Sequence, residues 1–501
     1  MHSSTTRRAA AVVAGALALA LAVPTAAAVA GTTATTGATS GTIDRAAAAL
    51  AGGGVSTLAD LRRPDVRPDA LPTGGLSVTG ETAPIHDPAL IIDDDGTWRV
   101  YSTGLVNREN GGTIQMWSSH DEGVTWANDG TVWDEIPAWI DERFAGPDGQ
   151  GTLPDNLWAP EVYEHDGTYY LYYSASRFGT NTSVTALATN TTLDPEDPDF
   201  EWVDQGPVIS SPNEIAGGKT FNAIDAGIVE GEDGTPYMAI GSYWYGIFLV
   251  ELEWPSGTLA DGALQNATHL VDRMMAGNPV EAPYIAEHDG WYYMYVSFDA
   301  CCQGLDSTYK VAVGRSRDVT GPYLDADGRD MVDGGGTIIL QSHGSVVGPG
   351  GQSVSDGVVA FHYYDASNAA APGFPTLGLQ RLAWEDGWPV VDQTAAAPTV
   401  TAAPDDLTVR ANRRASFEVE VSGTPVPVVT WEVSADGGTT WTTASARATR
   451  AADGTATWTI KHARRDQDGL QVRAVVANAH GTVRTDAATL DVTRPDHGHA
   501  R

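Results

Sequence analysis

Between residues 87 and 364, the chain repeats a pattern of two short apolar segments on either side of a tight polar turn. The second segment of each repeat is rich in aromatic residues. Apolar segments of this length around an Asp-Gly dipeptide are typical of β-hairpins, because the turn needs positive φ angles that Asp and Gly tolerate. The pattern therefore predicts five hairpin units, with turns at Asp95-Gly96, Asp166-Gly167, Asp233-Gly234, Asp289-Gly290 and Asp356-Gly357.

The repeats are spaced more widely than single hairpins require. Their leading acids, Asp87, Glu161, Asp225 and Glu281, are roughly 55 to 75 residues apart, which suits a four-stranded sheet with generous loops. No amphipathic helical stretch of useful length lies between them. We therefore predict an all-β fold over residues 81–395, with a five-bladed β-propeller as the first choice and a β-sandwich as the second.

Residues 397–493 have a different pattern, namely short segments in which apolar and polar residues alternate. Phe417-Glu-Val-Glu-Val is one such segment. About 95 residues of this pattern around a central tryptophan, Trp431, resemble an immunoglobulin-like β-sandwich. The usual inter-sheet cysteines are absent from this segment, so we expect Trp431 to pack on aliphatic side chains. A spacer or stabilising role is favoured over sugar binding, and residues 494–501 form a tail.

The first 80 residues carry a targeting pattern and a tether pattern rather than a domain. Arg7 and Arg8 precede an Ala-, Val- and Leu-rich run, and small residues follow it. This order predicts a signal peptide over residues 1–30 and a secreted, extracellular protein. A membrane anchor is the alternative, but the apolar run is short. Residues 31–80 are expected to be a tether or lead-in, and no later segment is apolar enough to span a bilayer.

The charge of the chain excludes several classes of partner. Its 501 residues include 64 Asp and Glu against 29 Lys and Arg, a formal net charge of −35. A surface this acidic repels nucleic-acid phosphates and anionic lipid headgroups, so neither is an expected partner, and a monomer is expected. Cys301 and Cys302 are the only cysteines. In an exported chain they favour a vicinal disulfide, with two free buried thiols as the alternative.

The leading acids suggest a chemistry. In a propeller the first strand of each blade lines the axis, so acids at equivalent points of successive blades would meet in one cavity. Carboxyls crowded together repel one another, so some need a raised pKa or a cationic partner. A carboxylic acid paired with a carboxylate is the machinery of glycoside hydrolysis, where one donates a proton and the other activates water or attacks the sugar. Calcium binding is the other use of clustered acids.

Several motifs over roughly residues 80–395 resemble glycoside hydrolase family 43, and most closely its arabinanases, the endo-1,5-α-L-arabinosidases. The resemblance implies a five-bladed propeller and an inverting hydrolase that cleaves α-1,5-L-arabinofuranosidic bonds in arabinan. An exo-acting arabinofuranosidase or β-xylosidase of the same family and a non-catalytic glycan-binding propeller are the alternatives. The motifs that carry the resemblance are His86-Asp87-Pro88, Asn156-Leu-Trp-Ala-Pro-Glu161, Asn222-Ala-Ile-Asp225, Glu281-Ala-Pro-Tyr284, Ser297-Phe-Asp-Ala-Cys-Cys302, Gly348-Pro-Gly350 and Phe361-His-Tyr-Tyr-Asp365.

The resemblance also implies roles for three carboxyls. Asp87 is the general base that activates water, and Glu281 is the general acid that protonates the leaving sugar oxygen. Asp225, if ionised, raises the pKa of Glu281 and holds it in position. Glu161 stands where many arabinanases have Asp, and we assign it no role in proton transfer.

The same motifs contain candidate contacts to the polysaccharide substrate. Trp158 and Trp244 are candidate platforms for apolar sugar faces, with packing between blades as the alternative for each. Asn222 and Ser242 are candidate hydrogen-bond donors to sugar hydroxyls. These four side chains are therefore the predicted substrate-binding residues.

One departure from the family pattern concerns a metal. Many arabinanases have a His after Gly-Pro-Gly that binds a central metal through water, whereas this chain has Gly351. His343 and His362 are the candidate substitutes. The chemistry itself requires no cofactor, and an axial calcium is left open.

Overall fold

The computed structural model describes residues 75–494, except 94, 216–217, 367, 369–372, 395, 425, 445–448, 452–453 and 479–480. The predicted signal peptide and most of the tether lie outside the described residues. Within them, strands dominate, so the all-β prediction is confirmed, and no helix is long and apolar enough to cross a membrane. The helices of the described part are α1 (Ala138–Ala145) and the 3₁₀ segments Val106–Gly112, Gly304–Asp306, Met331–Asp333 and Arg465–Gln467.

Five successive sheets, numbered 1 to 5 along the chain, make up residues 75–381. In spatial order, sheet 1 has the strands Thr79–Gly80, Thr125–Thr131, Gln115–Ser119, Trp98–Ser102 and Ala89–Ile92. Sheet 2 has Val203–Ser211, Ser183–Asn190, Thr168–Ala175 and Trp158–His165. Sheet 3 has Thr258–Leu259 and Thr268–Val271, which both pair with Ile247–Glu253, and then Pro236–Ile240 and Gly227–Glu230.

Sheets 4 and 5 complete this series. Sheet 4 has Thr337–Leu340, Lys310–Ser316, Trp291–Phe298 and Val280–His288. Sheet 5 has Gly75–Leu76, Pro375–Arg381, Val358–Asp365 and Val346–Ser355. The first described strand therefore joins the last sheet, since Gly75–Leu76 pairs antiparallel with Pro375–Arg381.

The turns follow the predicted hairpins. Each of the five Asp-Gly pairs joins the two strands named last in the spatial order of its sheet. The strand before the turn, which is named last of all, is called the first strand of its sheet from here on. In the two-residue turns of sheets 2, 4 and 5, both residues have positive φ, as at Asp166 (48°) and Gly167 (75°). This conformation matches the twist of the flanking strands, so local sequence sets the register of these hairpins.

Apolar layers fill the spaces between consecutive sheets. Leu171 and Tyr173 are buried against sheet 1, whereas Tyr170 and Tyr172 on the same strand are buried against sheet 3, as side-chain alternation in a strand requires. Further clusters lie between sheets 3 and 4, between 4 and 5, and between 5 and 1. The first strands contact one another in the same order, and the fifth contacts the first. Their residues are therefore brought to one common region.

Residues 383–493 contain a hairpin and two further sheets. The hairpin is Ala383–Glu385 with Trp388–Val390. One sheet has Ala396–Ala402, Ala415–Thr424 and Thr455–Ile460. The other has Leu407–Arg410, Ala488–Thr493, Leu470–Asn478, Val428–Ser434 and Thr442–Thr443, with Thr449–Arg450 and Gly481–Arg484 beside it. Trp431 is buried among aliphatic side chains, as predicted, and it also stacks on Trp458 with ring centroids 6.4 Å apart.

Candidate active site

A cleft of about 1170 Å³ opens beside the first strands, and residues associated with all five sheets line it. Asp87, Asp225 and Glu281 are among them, so the structure brings together the three acids to which the sequence analysis assigned the chemistry. Exposed apolar rings, such as Phe178 and Phe374, also line the cleft. The volume exceeds the range of about 300–1,000 Å³ that is usual for small-molecule pockets, which favours a polymeric substrate.

Each first strand has a left-handed residue either within it or two residues before it. The five residues and their φ angles are Asp87 (52°), Ala159 (41°), Asp225 (62°), Ala282 (51°) and Gly351 (60°). Left-handed residues other than glycine are uncommon and concentrate at functional sites. The five positions give a structural alignment of the repeats, and only two acids, Asp87 and Asp225, occupy it.

The prediction that four equivalent acids meet in one cavity is wrong for Glu161. Glu281 immediately precedes the left-handed residue of its strand and lines the cleft, whereas Glu161 comes two residues after Ala159 and does not. A small change of position along a strand redirects a side chain to another face. Glu161 is 3% exposed and lines a small adjoining cavity of about 30 Å³, which Asp87 and Asp225 also line. Burial there raises the pKa of Glu161 well above the usual value.

Asp87 is held as a carboxylate by neighbours on two sides. Thr103 Oγ1 donates to Asp87 Oδ2 at 2.7 Å, and the Asp87 backbone N–H donates to His362 Nδ1 at 3.2 Å. His86 Nδ1 lies 2.7 Å from Asp87 Oδ2 without hydrogen-bond alignment, so this contact is mainly ionic. Burial alone would raise the pKa of Asp87, but His86, together with His362 and Thr103, lowers it to about 2. Asp87 is therefore available to accept a proton.

Glu281 and Asp225 are partly buried neighbours, and the pKa values of both are raised. Burial raises the pKa of Glu281, while hydrogen bonds from Ser242 and Tyr309 oppose that rise. Burial and the charge of Glu281 raise the pKa of Asp225 well above its usual value. Ser242 Oγ donates to Glu281 Oε2 at 2.8 Å, and the Ala282 N–H donates to Asp225 Oδ2 at 3.1 Å. Two adjacent, partly buried carboxyls do not ionise together near neutral pH, so Asp225 is not the simple anion that the sequence analysis expected.

A family model described as "Glycosyl hydrolases family 43" matches residues 82–389, which include the cleft and its three carboxyls. The chain belongs to glycosyl hydrolase family 43. It is therefore a glycosidase, as the sequence resemblance predicted. An "Immunoglobulin I-set domain" model matches residues 398–492, so this family 43 enzyme carries a C-terminal immunoglobulin-like domain.

Relatives of this family 43 enzyme are named for related activities. The extracellular endo-α-(1→5)-L-arabinanase 1 of Bacillus subtilis is 37% identical over 306 residues, which are 61% of this chain and 87% of the relative. An extracellular exo-α-(1→5)-L-arabinofuranosidase of Cellvibrio japonicus is 35% identical over 341 residues, 65% of this chain and 91% of the relative. A solved family 43 endo-arabinanase from Bacillus licheniformis has a TM-score of 0.54 and 35% identity, covering 63% of this chain and 99% of that chain.

The four predicted substrate-binding residues all line the cleft. Trp244 is 40% exposed, as a sugar platform would be, while Trp158 is less exposed and its Nε1 donates to Asn156 Oδ1 at 2.8 Å. Asn222 is buried, and its Oδ1 accepts from a neighbouring serine hydroxyl. Ser242 differs from the expectation, because its hydroxyl hydrogen is directed to Glu281 rather than to the open cleft.

The structure does not bring His343, the predicted metal ligand, to the carboxyl groups. It lies in the turn before Val346–Ser355, and its Nδ1 donates to the Gln341 carbonyl oxygen at 2.7 Å. It lines neither the cleft nor the small cavity beside Glu161. His343 is therefore not positioned to hold an ion on the axis.

The surroundings of Gly351 do not fit the calcium that the family resemblance left open. A Cβ at this position would lie 2.7 Å from Asp87 Oδ1 and 2.8 Å from His362 Nδ1, so the His362 ring takes the space of a side chain there. Calcium binds about six to eight oxygen ligands. In the described part of the chain, the close clusters of His, Cys, Asp and Glu contain one carboxylate at most, so a calcium ion here would have to take nearly all its ligands from water.

The sequence analysis assigned no role to Thr103 and Tyr309, and it considered His362 only for a metal. His86 precedes Asp87 directly and could have been found from the His-Asp-Pro motif. His362 is 275 positions from Asp87, and no local pattern relates the two. Contacts between sheets 5 and 1 create this pairing, so only the fold reveals it.

Proposed function

We propose that this enzyme hydrolyses α-1,5-L-arabinofuranosidic bonds in arabinan. The activities for which the relatives are named support this substrate, and the size of the cleft suits a polymer. The observation that carries the proposal is the contrast, in one cleft, between the lowered pKa of Asp87 and the raised pKa values of Glu281 and Asp225. Glycoside hydrolysis needs one carboxylate and one carboxylic acid.

In the proposed inverting mechanism, Asp87 accepts a proton from a water molecule while the water oxygen attacks the anomeric carbon. Glu281 gives its proton to the glycosidic oxygen as the bond to the anomeric carbon breaks. The sugar product then carries the inverted configuration and the new hydroxyl. The hydrogen bond from the Ala282 N–H holds Asp225 beside Glu281, and the charge that one of the two acids carries favours the protonated form of the other.

The fold that supports this site is proposed to be a five-bladed β-propeller. Each sheet packs on the next through an apolar layer, and sheet 5 packs on sheet 1. The pairing of Gly75–Leu76 with Pro375–Arg381 joins the two ends of the series, which is how a ring of sheets avoids an open edge.

We further propose endo action by a secreted monomer that needs no metal cofactor. A wide cleft that is open to solvent favours attack within a chain over attack at its end. Two relatives are named as extracellular, in keeping with the predicted signal peptide. Exo-acting arabinofuranosidase or β-xylosidase activity is the alternative, and product size and substrate choice distinguish it.

The test is release of reducing sugar from debranched arabinan by the wild-type enzyme and two variants. Asp87→Ala and Glu281→Ala are each expected to lower turnover by about 10²–10⁴-fold, the usual contribution of a general acid or base. Glu161→Gln is the matched control, because Glu161 leads the same kind of repeat but lies outside the cleft. Failure of the wild type on arabinan, arabino-oligosaccharides and xylan would refute the proposed activity. Full activity of either alanine variant would refute the assigned roles.

A further inference from the structure

The disulfide between Cys301 and Cys302 is a part of the cleft that the proposed mechanism does not use. The bond follows strand Trp291–Phe298, and both cysteines line the cleft. They are the only cysteines in the chain. Any reagent that reduces a disulfide in this protein therefore acts at this position alone.

The disulfide contacts the outer nitrogens of two stacked histidine rings. Cys301 Sγ lies 3.4 Å from His86 Nε2 and 3.7 Å from His362 Nε2, and Cys302 Sγ lies 3.6 Å from His86 Nε2. The centroids of the two rings are 3.7 Å apart. Their Nδ1 atoms face Asp87, one through the ionic contact and the other through the Asp87 backbone N–H. The two imidazoles thus lie between the disulfide and the proposed general base.

Oxidised and reduced sulfur offer different hydrogen bonds to these rings. A sulfur in a disulfide has no hydrogen and can only accept, whereas a thiol can also donate. His362 Nδ1 accepts from Asp87, so the proton of the neutral ring is on Nε2, which faces Cys301 Sγ. The ionic contact of His86 is strongest for an imidazolium, in which Nε2 also carries a proton. Both arrangements need acceptors, and the disulfide provides only acceptors.

We propose that the disulfide of Cys301 and Cys302 is a positioning element for Asp87, acting through the hydrogen bonds of His86 and His362. The inference rests on the proposed role of Asp87 as the general base. Reduction adds two electrons and two protons, breaks the S–S bond and forms two S–H groups. A thiol that donates to His86 Nε2 stabilises the neutral ring and removes the positive charge beside Asp87. The pKa of Asp87 then rises. On the acid limb of the pH profile, where activity falls as the pH is lowered, the reduced enzyme therefore loses activity at a higher pH than the oxidised enzyme.

The other titratable groups near Asp87 lie on three sides of it. These groups are Glu281 from strand Val280–His288, Asp225 before strand Gly227–Glu230, Tyr309 before strand Lys310–Ser316, and Tyr364 from strand Val358–Asp365. Burial raises the pKa of each of the four side chains. Two of them also respond to the groups of the proposal, since His86 lowers the pKa of Glu281 and a backbone hydrogen bond from Cys302 lowers that of Tyr364. Glu281 and Tyr364 have raised pKa values, so the acid limb of the pH profile is the part that reports the histidine contacts of Asp87.

The experiment compares the pH dependence of kcat/KM on debranched arabinan before and after treatment with tris(2-carboxyethyl)phosphine. The phosphine supplies the electrons and becomes a phosphine oxide with oxygen from water, and thiol titration verifies two thiols per chain. A Cys301→Ser, Cys302→Ser double variant places hydroxyl donors near the rings. A Cys301→Ala, Cys302→Ala double variant removes the sulfurs without adding a donor. The alanine variant treated with phosphine controls for effects of the reagent.

We expect the acid limb of the reduced wild type and of the serine variant to move up by about one pH unit, a tenfold loss at a pH on that limb. The alanine variant should move less and should not respond to the phosphine. Acid limbs that coincide for the oxidised enzyme, the reduced enzyme and the serine variant would overturn the inference. A higher KM with an unmoved limb would also overturn it, because the disulfide would then be a sugar contact.

The wild type and Asp87→Ala together separate this inference from the proposed function. If the wild type does not act on arabinan, arabino-oligosaccharides or xylan, the proposed function fails. If Asp87→Ala keeps full activity, the role of Asp87 as the general base fails, and this inference fails with it. If Asp87→Ala is inactive and the limb does not move, only the positioning role fails. Circular dichroism establishes whether each double variant folds. Should the serine variant not fold, the reduced wild type alone decides the outcome, since its chain folds before reduction.

Discussion

Replacing Glu161 with Gln is expected to remove a pH dependence from the stability of this enzyme. Glu161 is 3% exposed, and its Oε1 has no hydrogen-bond partner in the described part of the chain. Burial raises its pKa well above the usual value, and the backbone N–H of Ile228 opposes only part of that rise. The folded protein therefore holds a neutral acid there, and Gln keeps both its shape and its lack of charge.

The magnitude follows from proton linkage. In the unfolded chain Glu161 releases its proton above about pH 4.3, the ordinary value for glutamate, whereas the folded state keeps it. The wild type therefore loses about 1.4 kcal/mol of unfolding free energy per pH unit as pH rises, until the raised pKa of the folded state is reached. Gln does not titrate. The stability of Glu161→Gln relative to the wild type should therefore rise between pH 5 and pH 7, by at most about 1.4 kcal/mol per pH unit.

Urea unfolding followed by tryptophan fluorescence at pH 5, 6 and 7 measures this difference. Glu253→Gln is the matched control, since Glu253 is an exposed glutamate on a strand of sheet 3, and it should differ from the wild type by the same amount at each pH. A difference for Glu161→Gln that is flat across this range would refute the reasoning. It would mean that the buried carboxylate is ionised and stabilised by a partner.

Three further predictions concern other parts of the molecule. Ser242→Ala removes a hydrogen-bond donor that favours the ionised form of Glu281. The alkaline limb of the kcat/KM profile should therefore move to higher pH, by up to about one unit, and a limb that stays in place or moves to lower pH would contradict this contact. Trp431→Ala should leave a buried cavity and destabilise the immunoglobulin-like domain by about 3–5 kcal/mol, while kcat on soluble arabino-oligosaccharides stays unchanged. A large fall in kcat would show that this domain contributes to catalysis. Treatment with EDTA should leave activity unchanged, because the residues around Gly351 do not form a calcium cage; loss of activity that added calcium restores would refute the metal-free site.

Much of the architecture follows from local pattern. The Asp-Gly turns predict the hairpins, because two residues with positive φ can be recognised without knowledge of the fold. The alternation around Trp431 predicts the second module for a similar reason. Helix α1 was not predicted, since only Ile140 and Phe144 are buried in it, which is too few apolar positions to produce a clear helical period.

Some features of the candidate site also follow from local sequence, and others depend on the fold. Motif resemblance selected Asp87, Asp225 and Glu281, and the structure places all three in one cleft. The repeat pattern alone grouped Glu161 with them, because the repeat spacing does not show which residue of each first strand adopts the left-handed conformation. That choice depends on contacts between sheets and determines which side chains reach the cleft.

The sequence by itself determined the all-β class and the five hairpin units, and it predicted the two modules and the roles of the three acids. These properties depend on residues close together in the chain, or on motifs that can be compared directly. Only the tertiary structure shows the burial and the neighbouring charges that shift the pKa values of those acids, the position of Glu161 outside the cleft, and the stack of His86 and His362 beside the disulfide. Burial and charge at a carboxyl come from groups that are distant in sequence, and they meet only when the five sheets pack together.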